Sequence, residues 1–124
     1  MTEEQLAFYR EQFERVWPWL EKAIAHYGPT HDKHHVWEMI EREQVHLFVS
    51  KTGALITIIE EYPTGLKELR IWLGGGSLAG LLQLRPLVEA WKQYTGCHRM
   101  RIDGRVGWSR VFNVKRRAAI MIEE

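Results

Sequence analysis

The chain has 124 residues, 45% of them hydrophobic and 27% charged, and its formal net charge is +1. That balance suits one globular domain that buries about two thirds of its unfolded surface, and it excludes a disordered or fibrous chain. The lone Cys97 excludes an internal disulfide, and no apolar run is long enough to span a bilayer.

In chain order, Thr2-Glu-Glu-Gln5 has the spacing of a capping box, and Leu6, Tyr9, Phe13, Val16, Leu20, Ile24 and Tyr27 recur at helical period. A long amphipathic helix is expected there, kinked or restarted at Pro18, as an N-terminal extension over 1–28. Gly28-Pro29 stops it. Thr30 or Asp32 then caps a second helix through about Arg42, with Val36, Trp37 and Ile40 turned inward.

After this the period falls to 2. Residues 45–50, 54–62 and 66–73 read as three strands of an antiparallel meander, turned at Lys51-Thr-Gly53 and Pro63-Thr-Gly65. Gly74-Gly-Gly-Ser77 is expected to break the third strand. A helix carrying Leu84, Leu87, Val88, Trp91 and Tyr94 follows to Gly96, with Pro86 in its first turn. Residues 97–103 return as a strand with Met100 and Ile102 on one face, 106–112 form a short helix, and 114–122 close as a strand. The expected class is α+β in a single domain over 1–124.

Charge is distributed unevenly along this order. Residues 1–44 carry nine acids against five bases, whereas residues 98–117 carry seven bases against Asp103 alone. A basic C-terminal element of this kind suits an acidic protein face, a phosphate-bearing cofactor or nucleic acid. Within it, Arg101-Ile-Asp-Gly-Arg-Val-Gly-Trp-Ser-Arg110 packs glycine, arginine and tryptophan together. Gly104 and Gly107 suit a tight strand exit, and Trp108 is large enough to close the core. Arg105 and Arg110 offer bidentate guanidinium geometry to an anion or an acidic partner.

The element order, with Gly74-Gly-Gly76 between a meander strand and a long helix, resembles the GNAT N-acetyltransferase superfamily. More specifically, Gly104-Arg-Val-Gly-Trp-Ser-Arg110 is similar to the Gly-Arg-x-Gly-Trp-x-Arg signature of short phage and prophage proteins with a GNAT-like fold. His34-His-Val-Trp37 echoes the Asp-x-x-Val-Trp segment of those proteins. The resemblance implies a GNAT-like fold from about residue 30 onward, and a place in the virion or the bacterial host cytoplasm. The acidic start, unlike a signal peptide, agrees with a chain that is neither secreted nor membrane-spanning.

In active members of that superfamily, an Arg/Gln-x-x-Gly-x-Gly/Ala loop at a helix N-terminus holds the pyrophosphate of coenzyme A. The resemblance places acetyl-CoA or CoA at Gly74, Gly75 and Gly76 here, although Ile71-Trp-Leu-Gly74-Gly75-Gly76 lacks the leading Arg or Gln. Where the family uses a tyrosine as general acid, this chain has Trp108 and Ser109; Glu60, Glu61 and Glu68 are the carboxylates open to a base's role. Catalytic residues are therefore unassigned.

In the cluster of His31, His34 and His35, His31 and His35 stand one helical turn apart, a spacing that can hold a metal when a third ligand arrives from elsewhere, but no Cys accompanies them and the His-Glu-x-x-His pattern is missing, so no metal is expected. Two functions remain in view. One is a non-catalytic phage module, virion-associated or used in assembly, that docks another protein through Arg105, Trp108 and Arg110. The other is an acetyl-CoA-dependent N-acyltransferase with an unknown amine acceptor. Nucleic-acid binding is the weakest reading, because the basic residues are interleaved with only Trp108 and Phe112.

Overall fold

A computed structural model describes residues 1–28, 30–102 and 110–112, apart from the side chain of Tyr27. Helix α1 (Glu3–Tyr27) starts on the expected box: the Thr2 hydroxyl accepts from the Gln5 backbone N–H, and the Gln5 side chain accepts from the Thr2 N–H. Its inward stripe buries Phe13, Val16, Leu20 and Ile24. The helix does not restart at Pro18. Both Pro18 and Glu14, whose carbonyl loses its helical partner there, lie on the exposed side.

Helix α2 (Lys33–Glu41) is capped by Asp32, whose carboxylate accepts from the His35 N–H, and it buries Val36 and Ile40. Strands β1 (His46–Val49), β2 (Gly53–Glu61) and β3 (Lys67–Gly76) form the antiparallel meander. Helix α3 (Leu78–Tyr94) then carries the chain over the sheet to β4 (Arg99–Ile102), which lies parallel to β3. A parallel neighbour requires such a crossover, and α3 supplies it. Among the described residues the protein is α+β, with three helices and one mixed sheet in the order β1-β2-β3-β4.

Alternation within the strands, switched in β3 by the extra residue Trp72 between the Ile56–Leu73 and Thr57–Ile71 pairs, gives the sheet two apolar faces. Ala54, Ile56 and Leu73 meet α1 and α2 on one face. Leu55, Leu69 and Ile71 meet Leu84 and Val88 of α3 on the other, with Met100, Ile102, Val111 and Phe112 beside them. Met100 and Ile102 thus share a face, as their spacing predicts.

Two expectations need correction. The glycine run does not break β3: Gly74, Gly75 and Gly76 pair with Leu55, Ala54 and Gly53. The pairing is kept because β2 begins at Gly53, and the absence of side chains admits α1, since a Cβ at Gly75 would sit 2.9 Å from Trp19 Cβ. Pro86 lies well inside α3, which starts at Leu78 because Ser77 caps it by accepting from the Gly80 N–H. The proline and Leu82, whose carbonyl it leaves unbonded in the helix, are both exposed. The expected helix over 106–112 and strand over 114–122 lie outside the described residues, except for Arg110, Val111 and Phe112.

Candidate functional site

The register of the last three strands gathers charge on one face. Glu60 pairs with Glu68 and Glu68 with Arg99; one row on, Arg70 pairs with Arg101. Side chains two apart on a strand point the same way, so these five residues share the face that carries α1. Glu68 is the centre. Its side chain is 1% exposed, its Oε2 accepts from Arg99 Nε at 2.5 Å, and its Oε1 accepts from the Tyr62 hydroxyl at 2.9 Å. Arg101 Nη1 stands 3.9 Å from the same carboxylate. At the margin, Arg70 Nη1 meets Glu60 at 3.0 Å, and the Tyr62 hydroxyl lies 3.1 Å from Glu60 Oε2.

Burial opposes the charge on Glu68, but the hydrogen bonds from Arg99 and Tyr62 and the two guanidinium charges outweigh it and hold the carboxyl below its usual range. The hydrogen bond to Glu68 pushes the Tyr62 phenol up, with burial acting in the same sense. Glu68 is therefore a fixed anion and Tyr62 a neutral donor. Above them the Arg99 and Arg101 side chains are 58% and 47% exposed. The buried carboxylate orients the Arg99 guanidinium and stands beside the half-exposed Arg101 side chain, and guanidiniums are the groups that recognise carboxylate or phosphate oxygens.

The β3–α3 junction has a different character. Ser77 N–H donates to the Thr52 carbonyl at 2.7 Å, the two hydroxyls of Thr52 and Ser77 are 2.7 Å apart, and the Ser50 hydroxyl donates to the Gly80 carbonyl at 2.8 Å. Arg15 of α1 clamps the same β1–β2 turn through the carbonyls of Ser50 and Lys51. Glycine is required here by contact. A Cβ at Gly76, where φ is +109°, would come 2.1 Å from the Thr52 carbonyl oxygen, and one at Gly80 would come 2.5 Å from Thr52. Of the backbone donors a phosphate cradle would use, those of Ser77 and Gly80 are already bonded within the fold.

His31 and His35 line an open cavity of about 350 Å³ together with Thr30, Glu38, Met39, Arg42 and Gln44. His31 packs edge-on against Trp72, and His35 completes the cap of α2 by accepting from the Asp32 N–H. Among the described residues no three His, Cys, Asp or Glu side chains are grouped to hold a metal.

Of the residues expected to act, Gly74, Gly75 and Gly76 stand together at the end of β3 beside the N-terminus of α3. Arg110 is exposed, and Arg105 and Trp108 lie outside the described residues. The assembly of Tyr62, Glu68 and Arg99 went unread in the sequence. Its one signal is the i, i+2 spacing of Glu60 with Tyr62, Glu68 with Arg70, and Arg99 with Arg101, which puts each pair on one face without saying which strands adjoin. Comparison with known protein families, with curated proteins and with solved structures finds no match to this chain.

Proposed function

We propose that this chain is a GNAT-like phage module, virion-associated or used in assembly, that docks an acidic protein partner without acyl-transfer chemistry. The docking residues in this reading are Arg105, Trp108 and Arg110, which the sequence singles out, together with the exposed Arg99 and Arg101 of β4. The observation that carries the docking reading is the pair of exposed guanidiniums on Arg99 and Arg101, set over the buried Glu68 carboxylate. Held side chains lose less entropy on binding than free ones, which favours recognition over mere solvation. The GNAT-like part rests on the meander, the crossover helix and the parallel strand in that order. Phage origin rests on the Gly-Arg-x-Gly-Trp-x-Arg resemblance.

Two features weigh against catalysis. Glu68 is held as an anion by its cations, unlike a base poised near neutral pH. The turn at Thr52 fills the approach that a pyrophosphate needs at Gly76. One observation favours the acetyl-CoA-dependent N-acyltransferase as a second reading: the positive end of α3 adjoins the glycine run.

Titration with labelled polyglutamate, followed by anisotropy, tests the first reading, and calorimetric titration with CoA and acetyl-CoA tests the second. Polyglutamate is expected to bind at low salt and to weaken about five- to ten-fold when Arg101 and Arg110 both become Gln. The same change at the exposed Lys22 and Lys51 should leave binding intact. Saturable CoA binding with no arginine-dependent polyglutamate binding would replace docking with the enzyme reading.

A further inference from the structure

The sheet has an edge with hydrogen-bonding groups to spare. Among the described residues β1 is the outer strand of the order β1-β2-β3-β4 and pairs with β2 alone. In an antiparallel ladder, residues that exchange bonds with the neighbouring strand alternate with residues whose N–H and C=O turn away from it. The Ser50 N–H donates to the Gly53 carbonyl at 2.9 Å, which sets the phase. Following the register back, Phe48 bonds Leu55 and His46 bonds Thr57, so the backbone groups of Leu47 and Val49 point out of the sheet.

An open strand is a template for pairing, and proteins guard such edges with charge, proline or a bulge. Residues 45–50 contain no proline and no Lys, Arg, Asp or Glu. Burial pushes the His46 imidazole below its ordinary value, which leaves the edge uncharged at neutral pH. The bulge of this sheet lies between β2 and β3, so the β1–β2 register runs unbroken. Apolar surface adjoins the edge. Trp91 of α3 packs on His46 with ring centroids 4.6 Å apart, and Leu87 and Tyr94, one turn to either side of Trp91, are 54% and 83% exposed.

The occupant that fits this edge is the same edge. Turned about a two-fold axis, a second β1 sets its Val49 opposite Leu47 and its Leu47 opposite Val49, so every outward N–H and C=O of both residues is bonded. Phe48 then faces Phe48, and no like charges meet. We propose that β1 is a dimerisation edge, at which two copies of this chain pair their β1 strands antiparallel and join their sheets into one. The contact is isologous and closes at two protomers. It lies at the opposite edge of the sheet from β4 and does not rest on the docking reading. β1 offers four residues, well short of the roughly 20–30 a side in a stable interface, so the dimer is weak and forms only at high concentration.

Sedimentation velocity from about 10 µM to about 1 mM tests this, and the mean mass of the native chain should rise toward twice the monomer's. In Val49→Pro the ring removes an N–H that the β1–β2 ladder does not use, a position where edge strands accept proline. That variant should keep its thermal melt and associate about ten-fold or more weakly, since each copy loses one edge hydrogen bond. Single cysteines read the register without the proline, in a chain whose Cys97 is replaced by Ser. Across the two-fold axis the two Phe48 Cα atoms come within about 4.5–5.5 Å, inside disulfide reach, whereas His46 faces Ser50 of the second copy. Oxidation should therefore link Phe48→Cys into a dimer and leave His46→Cys monomeric. A native chain that stays monomeric throughout, a folded Val49→Pro chain that dimerises as the native one does, or equal linking at both cysteine positions overturns the proposal. Should Val49→Pro fail to fold, the cysteine pair decides.

Discussion

Removing Arg99 should cost more than removing the charge it faces. Glu68 is 1% exposed and takes its shortest hydrogen bond from Arg99, so Arg99→Ala leaves a buried carboxylate with only the Tyr62 hydroxyl at 2.9 Å and Arg101 at 3.9 Å. One charged hydrogen bond to a buried anion is worth about 1.5–3 kcal/mol, and Arg101 keeps the loss below the figure for a fully orphaned charge. The expected loss is about 2–3 kcal/mol. Glu68→Gln instead frees a guanidinium that is 58% exposed and turns to water, while the amide oxygen still accepts from Tyr62, so about 1–2 kcal/mol is expected. The double variant should lose about 1 kcal/mol less than the sum, since the second change no longer breaks a pair. Urea unfolding followed by the fluorescence of the six tryptophans measures all three. Equal and additive losses, each below about 0.5 kcal/mol, would show that the cluster is solvated surface and that Glu68 orients nothing.

Acid should expose the same residue. Glu68 has a folded-state pKa below its unfolded value, so its contribution is present above the unfolded value near pH 4.3 and is lost as pH falls through the folded one; stability against pH should flatten there in Glu68→Gln. Gly80→Ala sets two effects against each other: helix propensity favours alanine by about 1 kcal/mol, whereas a Cβ 2.5 Å from Thr52 costs about 2–3 kcal/mol, so net destabilisation in a thermal melt is expected. A stabilised Gly80→Ala would place the Thr52 turn away from α3. Phe13→Ala should cost about 3–5 kcal/mol while Phe8→Ala stays within about 0.5 kcal/mol, because the first ring is fully buried and the second is 56% exposed. Similar losses in urea unfolding would mean that the N-terminal turns of α1 pack on the body.

Local signals carried much of the fold. Phe13, Val16, Leu20 and Ile24 announce α1 because one helical face supplies one wall of the core, and Asp32 announces α2 because its carboxylate satisfies an N–H three residues on. The glycine run misled. In Gly74-Gly-Gly76 low strand propensity is overridden by pairing with β2 and by the close approach of Trp19, and at Gly80 a residue poor for helices sits in one so that Thr52 fits. The charged cluster depends on partners 31 residues apart, Glu68 and Arg99, and on a register that slips by one residue between Ile56 and Thr57. Alternation gives each strand's face, but neighbour and register are set by packing across the sheet. Glu68 therefore reads in sequence as one of three ordinary strand carboxylates.

The central claim is that the basic β4 surface receives acidic groups, and a nitrogen-labelled NMR titration with polyglutamate tests it most directly. The backbone amides and guanidinium Nε–H resonances of Arg99, Arg101 and Arg110 should shift together, saturate, and return to their starting positions at high salt, while Leu78, Ala79 and Gly80 at the start of α3 stay in place. Shifts at the start of α3 or at the exposed Lys22 and Lys51, with the three arginines unmoved, would contradict it.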